Sequence, residues 1–464
     1  MNWYELAKAR QQELLDELTA LLKIESVLDE SITSKEHPFG PGPREALDFM
    51  LRLGEEQGLK VKNIDNMAGH IEMGEGDEAL GILCHVDVVP AGDLSTWTYP
   101  PFEGRIVDGK LYARGSIDDK GPTMAAWMAM KLVKDAGIKL NKRVRMIIGT
   151  DEESGFRCVT RYFEKEEMPE IGFAPDADFP LINAEKGIAN LVFSQNDKPT
   201  TDEKLISFKA GKRINMVPDL AEAVMTNIDG TFVENFQSYL AKNGVEGSFT
   251  NEGNNIIITV KGKSAHAMEP EKGVNAAVLL AQFLKQQQIG GAGQTFAEFM
   301  DFAFGQNPYG ESMSLSYTDD MSGPTTLNAG LVSFGENGGE IRVSMRYSVT
   351  YPFEEKITAA QPIVAAERFS LDVADNDTPH YVPENDVLVA TLLDVYRGAT
   401  GDMRAPLSTG GGTYARVMKK GVAFGMLYPG ELELAHQADE FVDIENLVKA
   451  TAIYAEAIVK LASK

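Results

Sequence analysis

The 464-residue chain contains two cysteines, Cys84 and Cys158. Two thiols in so long a sequence cannot supply a disulfide framework, and they suit a reducing compartment. No run approaches the roughly 18 consecutive apolar residues that a membrane-spanning helix requires. The amino-terminal stretch MNWYELAKARQQELLDELTALLK is charged throughout and lacks the uninterrupted apolar segment of an export signal. Its Leu14, Leu18, Leu21 and Leu22 recur instead like one face of a helix. A soluble cytoplasmic protein with no membrane partner is therefore expected. Basic tracts are missing too. Lys and Arg total 44 against 69 Asp and Glu, a formal net charge of −25, which disfavours a nucleic-acid partner because such binding depends on clustered cations. The acidity either serves solubility or gathers carboxylates around metal ions.

What is present is an ordinary globular composition, 43% apolar and 24% charged, in a chain long enough for at least two domains. ALGILCHVDVV, residues 79–89, is an almost unbroken apolar run of strand length, as in a strand covered on both faces of a parallel sheet. In GPTMAAWMAMKLVKDAG, Pro122 stands where a helix start tolerates proline and Gly137 where a helix stops. The strand VRMIIGT follows, so strand, helix and strand alternate. That order predicts an α/β fold with a mixed, mostly parallel sheet flanked by helices, and ligands beyond the carboxyl ends of its strands.

From about Gly187 the texture changes to alternating strands, two amphipathic helical stretches and glycine punctuation at 290–293 and 335–339. Helix and strand alternation returns near Asp386, through VLVATLLDVYRG and VAFGMLY to a closing helix over 443–461. The expected domains are therefore 1–186 with 386–464, interrupted by an inserted domain over 187–385.

His85 and Asp87 stand two apart in the first strand and share a face; alone, they equally describe a structural histidine with a hydrogen-bonded partner. Asp118 and Asp119 are adjacent in a glycine-flanked turn, a cation site or a solvated turn. Asp151, Glu152 and Glu153 follow the second strand and could sit at a helix amino terminus. Asp176 and Asp178 occupy a proline-bounded loop, and His436 precedes the last helix. Each has a simple surface explanation, but together they place nitrogen and oxygen ligands, without thiolate, at strand ends of one discontinuous domain. Such donors suit zinc, cobalt or manganese in a hydrolytic site. Cys84 points to the face opposite His85 and belongs to the core. His37, His70 and His380 have no comparable setting.

The ordered segments GILCHVDVVPAG, GKLYARGSIDDKGP, GTDEESG, PDADFP, GKSAHAMEP, STGGGTYAR and AHQADE, spanning residues 81–440, resemble the co-catalytic zinc family that includes aminoacylases, carnosinases, glutamate carboxypeptidases and succinyl-diaminopimelate desuccinylases. The resemblance implies the zinc exopeptidase fold with an inserted α+β lid of two ferredoxin-like lobes. It implies two Zn²⁺ per chain, with Mn²⁺ or Co²⁺ as substitutes. Asp118 would bridge them, His85 and Asp176 would hold one, and Glu153 and His436 the other. Glu152 would be the general base toward a water between the cations, Asp87 would orient His85, and the Asp118–Asp119 peptide bond would be cis. His266 would stabilise the oxyanion, and Asn215 and Arg346 would hold the substrate carboxylate. Gly410 and Gly411 are a flexible surface loop or a backbone cradle for substrate. The implied activity is that of a metallo-dipeptidase acting on small unblocked dipeptides, β-alanyl dipeptides included, and the insertion over 187–385, long enough to hold two such lobes, points to a monomer. The alternatives are an N-acyl amino acid deacylase of the same family and a non-catalytic peptide- or metal-binding protein on this scaffold.

Overall fold

The computed structural model describes residues 1–463. The chain divides into two compact units. One comprises Met1–Asn183, Tyr381–Leu407 and the chain from Gly412 onward; the other comprises Ala184–His380 with Ser408–Gly411. Ser408–Gly411 thus groups with the inserted segment and not, as the sequence boundaries placed it, with the carboxy-terminal one.

In the first unit a mixed sheet runs in the order Lys60–Ile64, Ala68–Met73, Arg143–Gly149, Ala79–His85, Ile171–Ala174, Gly421–Ala423. The last four are mutually parallel, and the first two strands join antiparallel. Every residue of Ala79–His85 is buried, because helices cover both faces. Leu80, Ile82 and Cys84 enter the larger core with Met124, Trp127 and the helix Ile444–Ala462. Leu83 enters a smaller core on the opposite face with Ile147, Cys158 and Tyr162. Burying each such aliphatic side chain contributes roughly 1.5–3 kcal/mol, which explains the absence of alternation in this strand.

Helix Lys120–Asp135 starts directly after the Asp118–Asp119 turn. Pro122 lies in its first turn, where a missing N–H costs nothing, and Gly137 follows its end at φ +65°. It is buried from Lys120 to Val133. Its Lys131 ammonium meets Glu13 and Glu17 of the helix Gln11–Leu22, and its Trp127 Nε1 donates to Glu17 at 3.0 Å.

The second unit carries one eight-stranded antiparallel sheet. Gly247–Glu252, Asn255–Lys261, Leu220–Thr226 and Leu205–Ala210 form one half, and Thr326–Gly335, Gly338–Tyr347, Gly187–Gln195 and Phe369–Asp377 the other. Along Gly187–Gln195, buried and half-buried residues alternate strictly, the pattern of a sheet with one covered face. Four helices, not the two read from the sequence, belong to this unit: Thr231–Asn243, Ala276–Gln286, Gly291–Phe304 and Phe353–Ala366. Gly291–Phe304 opens on glycines that read as loop, but the Glu203 carboxylate accepts from Ala292 N and Gly293 N, both at 3.0 Å, and satisfies first-turn donors. Phe353–Ala366 carries Pro362 in its interior, a residue that argues against helix on sequence alone.

Candidate metal centre

Three parallel strands of the first unit end side by side and deliver the acidic and imidazole groups to one edge. Ala79–His85 ends on His85, Arg143–Gly149 runs out into Asp151-Glu152-Glu153, and Ile171–Ala174 runs out into Asp176. The turn before Lys120 adds Asp118, and the loop before strand Phe441–Asp443 adds His436.

Asp118 is the centre of the cluster. Its Oδ1 lies 3.1 Å from His85 Nε2, and its Oδ2 lies 2.9 Å from His436 Nε2. Asp176 Oδ2 is 3.7 Å from His85 Nε2, and Glu153 Oε2 is 3.1 Å from His436 Nε2. The donors form two triads that share Asp118: His85 with Asp118 and Asp176, and His436 with Asp118 and Glu153, the ligand atoms of each lying within 4.8 Å of one another. Glu152 belongs to neither triad. His85 Nε2 is buried without a well-directed hydrogen bond, as expected where a cation completes the coordination of such a donor. The Asp118–Asp119 peptide bond is cis.

The three acids after the second strand separate by role. Asp151 accepts from Arg157 N, Nε and Nη2 at 3.1, 2.7 and 2.7 Å, which closes the turn leading into helix Arg157–Lys165. Glu153 turns to His436, and its backbone N–H donates to Asp87 Oδ2 at 3.1 Å. His85 Nδ1 lies 3.0 Å from the Asp87 carbonyl and 3.4 Å from its carboxylate. Asp87 thus faces the imidazole with both its carbonyl and its carboxylate, the carbonyl being the nearer.

Electrostatics favour cations here. Burial drives the Glu152 carboxyl well above its usual range, and the neighbouring Asp176, Glu153 and Asp118 add to this against His85. Burial and then Asp118 push Glu153 up to about 7, and burial and Asp118 raise Asp176 as well. Burial also works against ionisation of Asp118, but the His436 and His85 imidazoles against its two oxygens outweigh it and hold that carboxyl low. The bonds to Asp118 and Glu153 push His436 up to about 11. Crowded buried carboxylates whose charges repel are relieved by positive charge placed between them.

The family model for peptidase family M20/M25/M40 matches residues 81–460. The chain belongs to that family. It is a hydrolase of the metallopeptidase class with the zinc exopeptidase fold of that family. The chain is 45% identical over 467 residues to a Bacillus subtilis (strain 168) protein named "Putative dipeptidase YtjP", covering 100% of each chain. A Staphylococcus epidermidis protein named "Putative dipeptidase" is 41% identical, covering 99% of each. Among solved structures, human carnosine dipeptidase 1 superposes with a TM-score of 0.59 at 13% identity, over 100% of this chain and 98% of that one. The dipeptidase Dug1p of Saccharomyces cerevisiae superposes with a TM-score of 0.57 at 13% identity, over 99% and 98%. These two establish likeness of fold.

The remaining sequence candidates cluster within the second unit. Ala267 N donates to Asn215 O at 2.9 Å, and Met216 bridges to His266, so Asn215 and His266 lie on adjoining segments. Met268 N donates to His266 Nδ1 at 3.3 Å, which leaves the ring proton of the neutral imidazole on Nε2. Arg346 is buried, not facing solvent; its strand partner Thr326 donates to Ala267 O at 3.2 Å, and its own Nη1 donates to Gly410 O at 2.8 Å. A Cβ at Gly410 would stand 2.5 Å from Met268 Cβ, so the glycine is required for this close approach. Gly411 N donates to Thr409 Oγ1 at 3.0 Å. The sequence reading missed Tyr414, whose ring lies edge-on to His85 with centroids 6.1 Å apart and whose hydroxyl is 2.9 Å from Cys158 Sγ. Its only signal was its place in STGGGTYAR. Among the described residues no helix is long and apolar enough to cross a membrane.

Proposed function

We propose that this chain is a di-zinc dipeptidase of the dipeptidase V type, hydrolysing unblocked dipeptides, β-alanyl dipeptides among them. The observation that carries the reading is the division of Asp118, one oxygen toward His85 and the other toward His436, with Glu152 beside both triads and part of neither. His85, Asp118 and Asp176 would hold one Zn²⁺, and Asp118, Glu153 and His436 the other, with Mn²⁺ or Co²⁺ as substitutes. When bound, the cations lower the pKa of water toward neutrality and offset charge on a developing oxyanion.

Glu152 takes the proton of the attacking water and returns it to the leaving amine. General acid–base transfer of this kind contributes roughly 10²- to 10⁴-fold. Asp87 keeps His85 in the tautomer that presents Nε2. As the family resemblance implies, Nε2–H of His266 would meet the oxyanion, and Asn215, Arg346 and the Gly410–Gly411 backbone the substrate carboxylate. The chain acts as a monomer on a small substrate. Two buried, unpaired thiols, Cys84 and Cys158, support placing it in the cytoplasm.

The relatives' names favour dipeptides over N-acylated amino acids. Turnover of a free dipeptide and of its N-acetyl form, each with and without chelator, tests the assignment. Chelator-sensitive cleavage of the free peptide and loss of the blocked one are expected; equal or better cleavage of the acetylated form would overturn it in favour of a deacylase.

A further inference from the structure

Behind the Asp118 turn lies a buried ion pair with no part in either triad. Glu440 is 0% exposed and Arg114 1% exposed, and Glu440 Oε2 accepts from Arg114 Nη1. The other carboxylate oxygen accepts from two consecutive backbone amides, Ile117 N at 2.9 Å and Asp118 N at 3.3 Å. Arg114 is held in turn, its Nη2 donating to Pro90 O at 3.5 Å and its guanidinium lying 5.3 Å from the centroid of the Trp97 ring. Backbone bonds tie the same two segments together: Ala113 N donates to Glu440 O at 3.1 Å, and Phe441 pairs with Tyr112 in an antiparallel ladder.

Two consequences follow from this wiring. The peptide that carries the shared carboxylate of Asp118 hangs from Glu440. Glu440 also lies four residues beyond His436, in the loop that delivers the second histidine. That loop has little regular structure to fix it. His436 and Asp439 both have positive φ, +64° and +57°, and the Asp439 carboxylate anchors the chain by accepting from Thr98 N and Thr98 Oγ1, each at 2.7 Å. Glu440 thus joins the peptide of Asp118 to the loop that carries His436.

We propose that Glu440, braced by Arg114, is a positioning residue that presets the Asp118–His436 geometry and so governs cation affinity without touching a cation. The proposal rests on the two-cation reading of the site. Outer partners of this kind, when removed, weaken metal binding by roughly 10- to 100-fold. A purely structural ion pair would instead lower the stability of the fold and leave affinity in the folded protein unchanged.

The test is direct titration of chelator-stripped full-length protein with Zn²⁺ against a competing chromogenic chelator, alongside thermal melting of the stripped protein. Glu440→Gln keeps the size of the side chain and an oxygen for the two amides but gives up the charge opposed to Arg114; Glu440→Ala removes the acceptor, and Arg114→Met removes the brace. Glu72→Gln serves as comparator, because Glu72 and Arg145 form another buried pair, on the strands Ala68–Met73 and Arg143–Gly149. Expected is a loss of affinity of about 10- to 100-fold in the Glu440 and Arg114 variants, with hydrolysis recovering as Zn²⁺ is raised, and no change of affinity in Glu72→Gln. Affinities within twofold of wild type in folded Glu440→Gln and Arg114→Met overturn the proposal, as does an equal loss in Glu72→Gln. Should the wild type bind no Zn²⁺, the two-cation reading itself fails, and that result is distinct from either.

Discussion

His436 and Asp118 lie in distant parts of the chain, yet His436 Nε2 comes within 2.9 Å of Asp118 Oδ2. Asp118 turns its other oxygen to His85, so its carboxylate stands between the two imidazoles. Neither contact is forced by local structure. Each depends on three parallel strands ending together and on a turn closed beneath them.

Glu152 carries the sharpest prediction about chemistry. Because it is outside both triads, Glu152→Ala should retain the wild-type number of cations and lose turnover by about 10²- to 10⁴-fold. Cation stoichiometry measured together with kcat decides the point: full stoichiometry with undiminished kcat would remove Glu152 from its role.

Cation binding should release protons. His436 is held at about 11 by its bonds to Asp118 and Glu153, and Glu153 is raised to about 7 chiefly by burial. At pH 7 the stripped protein therefore keeps His436 protonated and Glu153 partly so, and both must deprotonate to act as ligands. Affinity should rise with pH. Calorimetry in buffers of different ionisation enthalpy should show more than one proton released per chain near pH 7, and heats that do not change with buffer would contradict this.

His70 predicts an acid-sensitive contribution to stability away from the site. Its ring accepts or donates at 2.7 Å with Tyr162 OH, and burial, then Arg145, lowers its pKa to about 4 from an ordinary 6.5. The unfolded chain takes up a proton below about pH 6.5 while the folded chain resists it until about pH 4. The stabilisation from a neutral His70 is thus complete above that window and is lost as the pH falls through it, by up to roughly 3 kcal/mol. Urea unfolding of wild type and His70→Gln between pH 7.5 and 4.5 should show a steeper decline in wild type; parallel declines would refute the assignment.

Gly410 should tolerate no side chain. A methyl group there meets Met268 Cβ at 2.5 Å and would push the Gly410 carbonyl away from Arg346. Gly410→Ala should raise KM for dipeptides several-fold more than it lowers kcat, with overpacking costing about 1–3 kcal/mol. Met268→Ala in the same chain should restore KM, and failure of that rescue would show that the clash is not the cause.

The parts of the fold that could be read in advance are those in which the sequence answers to its immediate surroundings. Ala79–His85 is apolar at every position because both its faces are covered. The acids after the strands stand out because an apolar run stops on them. The helices Gly291–Phe304 and Phe353–Ala366 were hidden for the opposite reason: distant Glu203 caps one, and the other continues through Pro362. The division of Asp151 from Glu152 and Glu153 could not be read either, since three neighbouring acids look alike until Arg157 claims one of them. His436 owes its place to long-range anchors at Thr98 and Ile117, which no local pattern encodes.

Two cations that share Asp118 should be visible by anomalous diffraction from crystals grown with Zn²⁺. Two peaks roughly 3.5–4 Å apart are expected, one against His85 and Asp176, the other against Glu153 and His436, with Asp118 touching both. A single peak, or two peaks without Asp118 between them, would contradict that sharing.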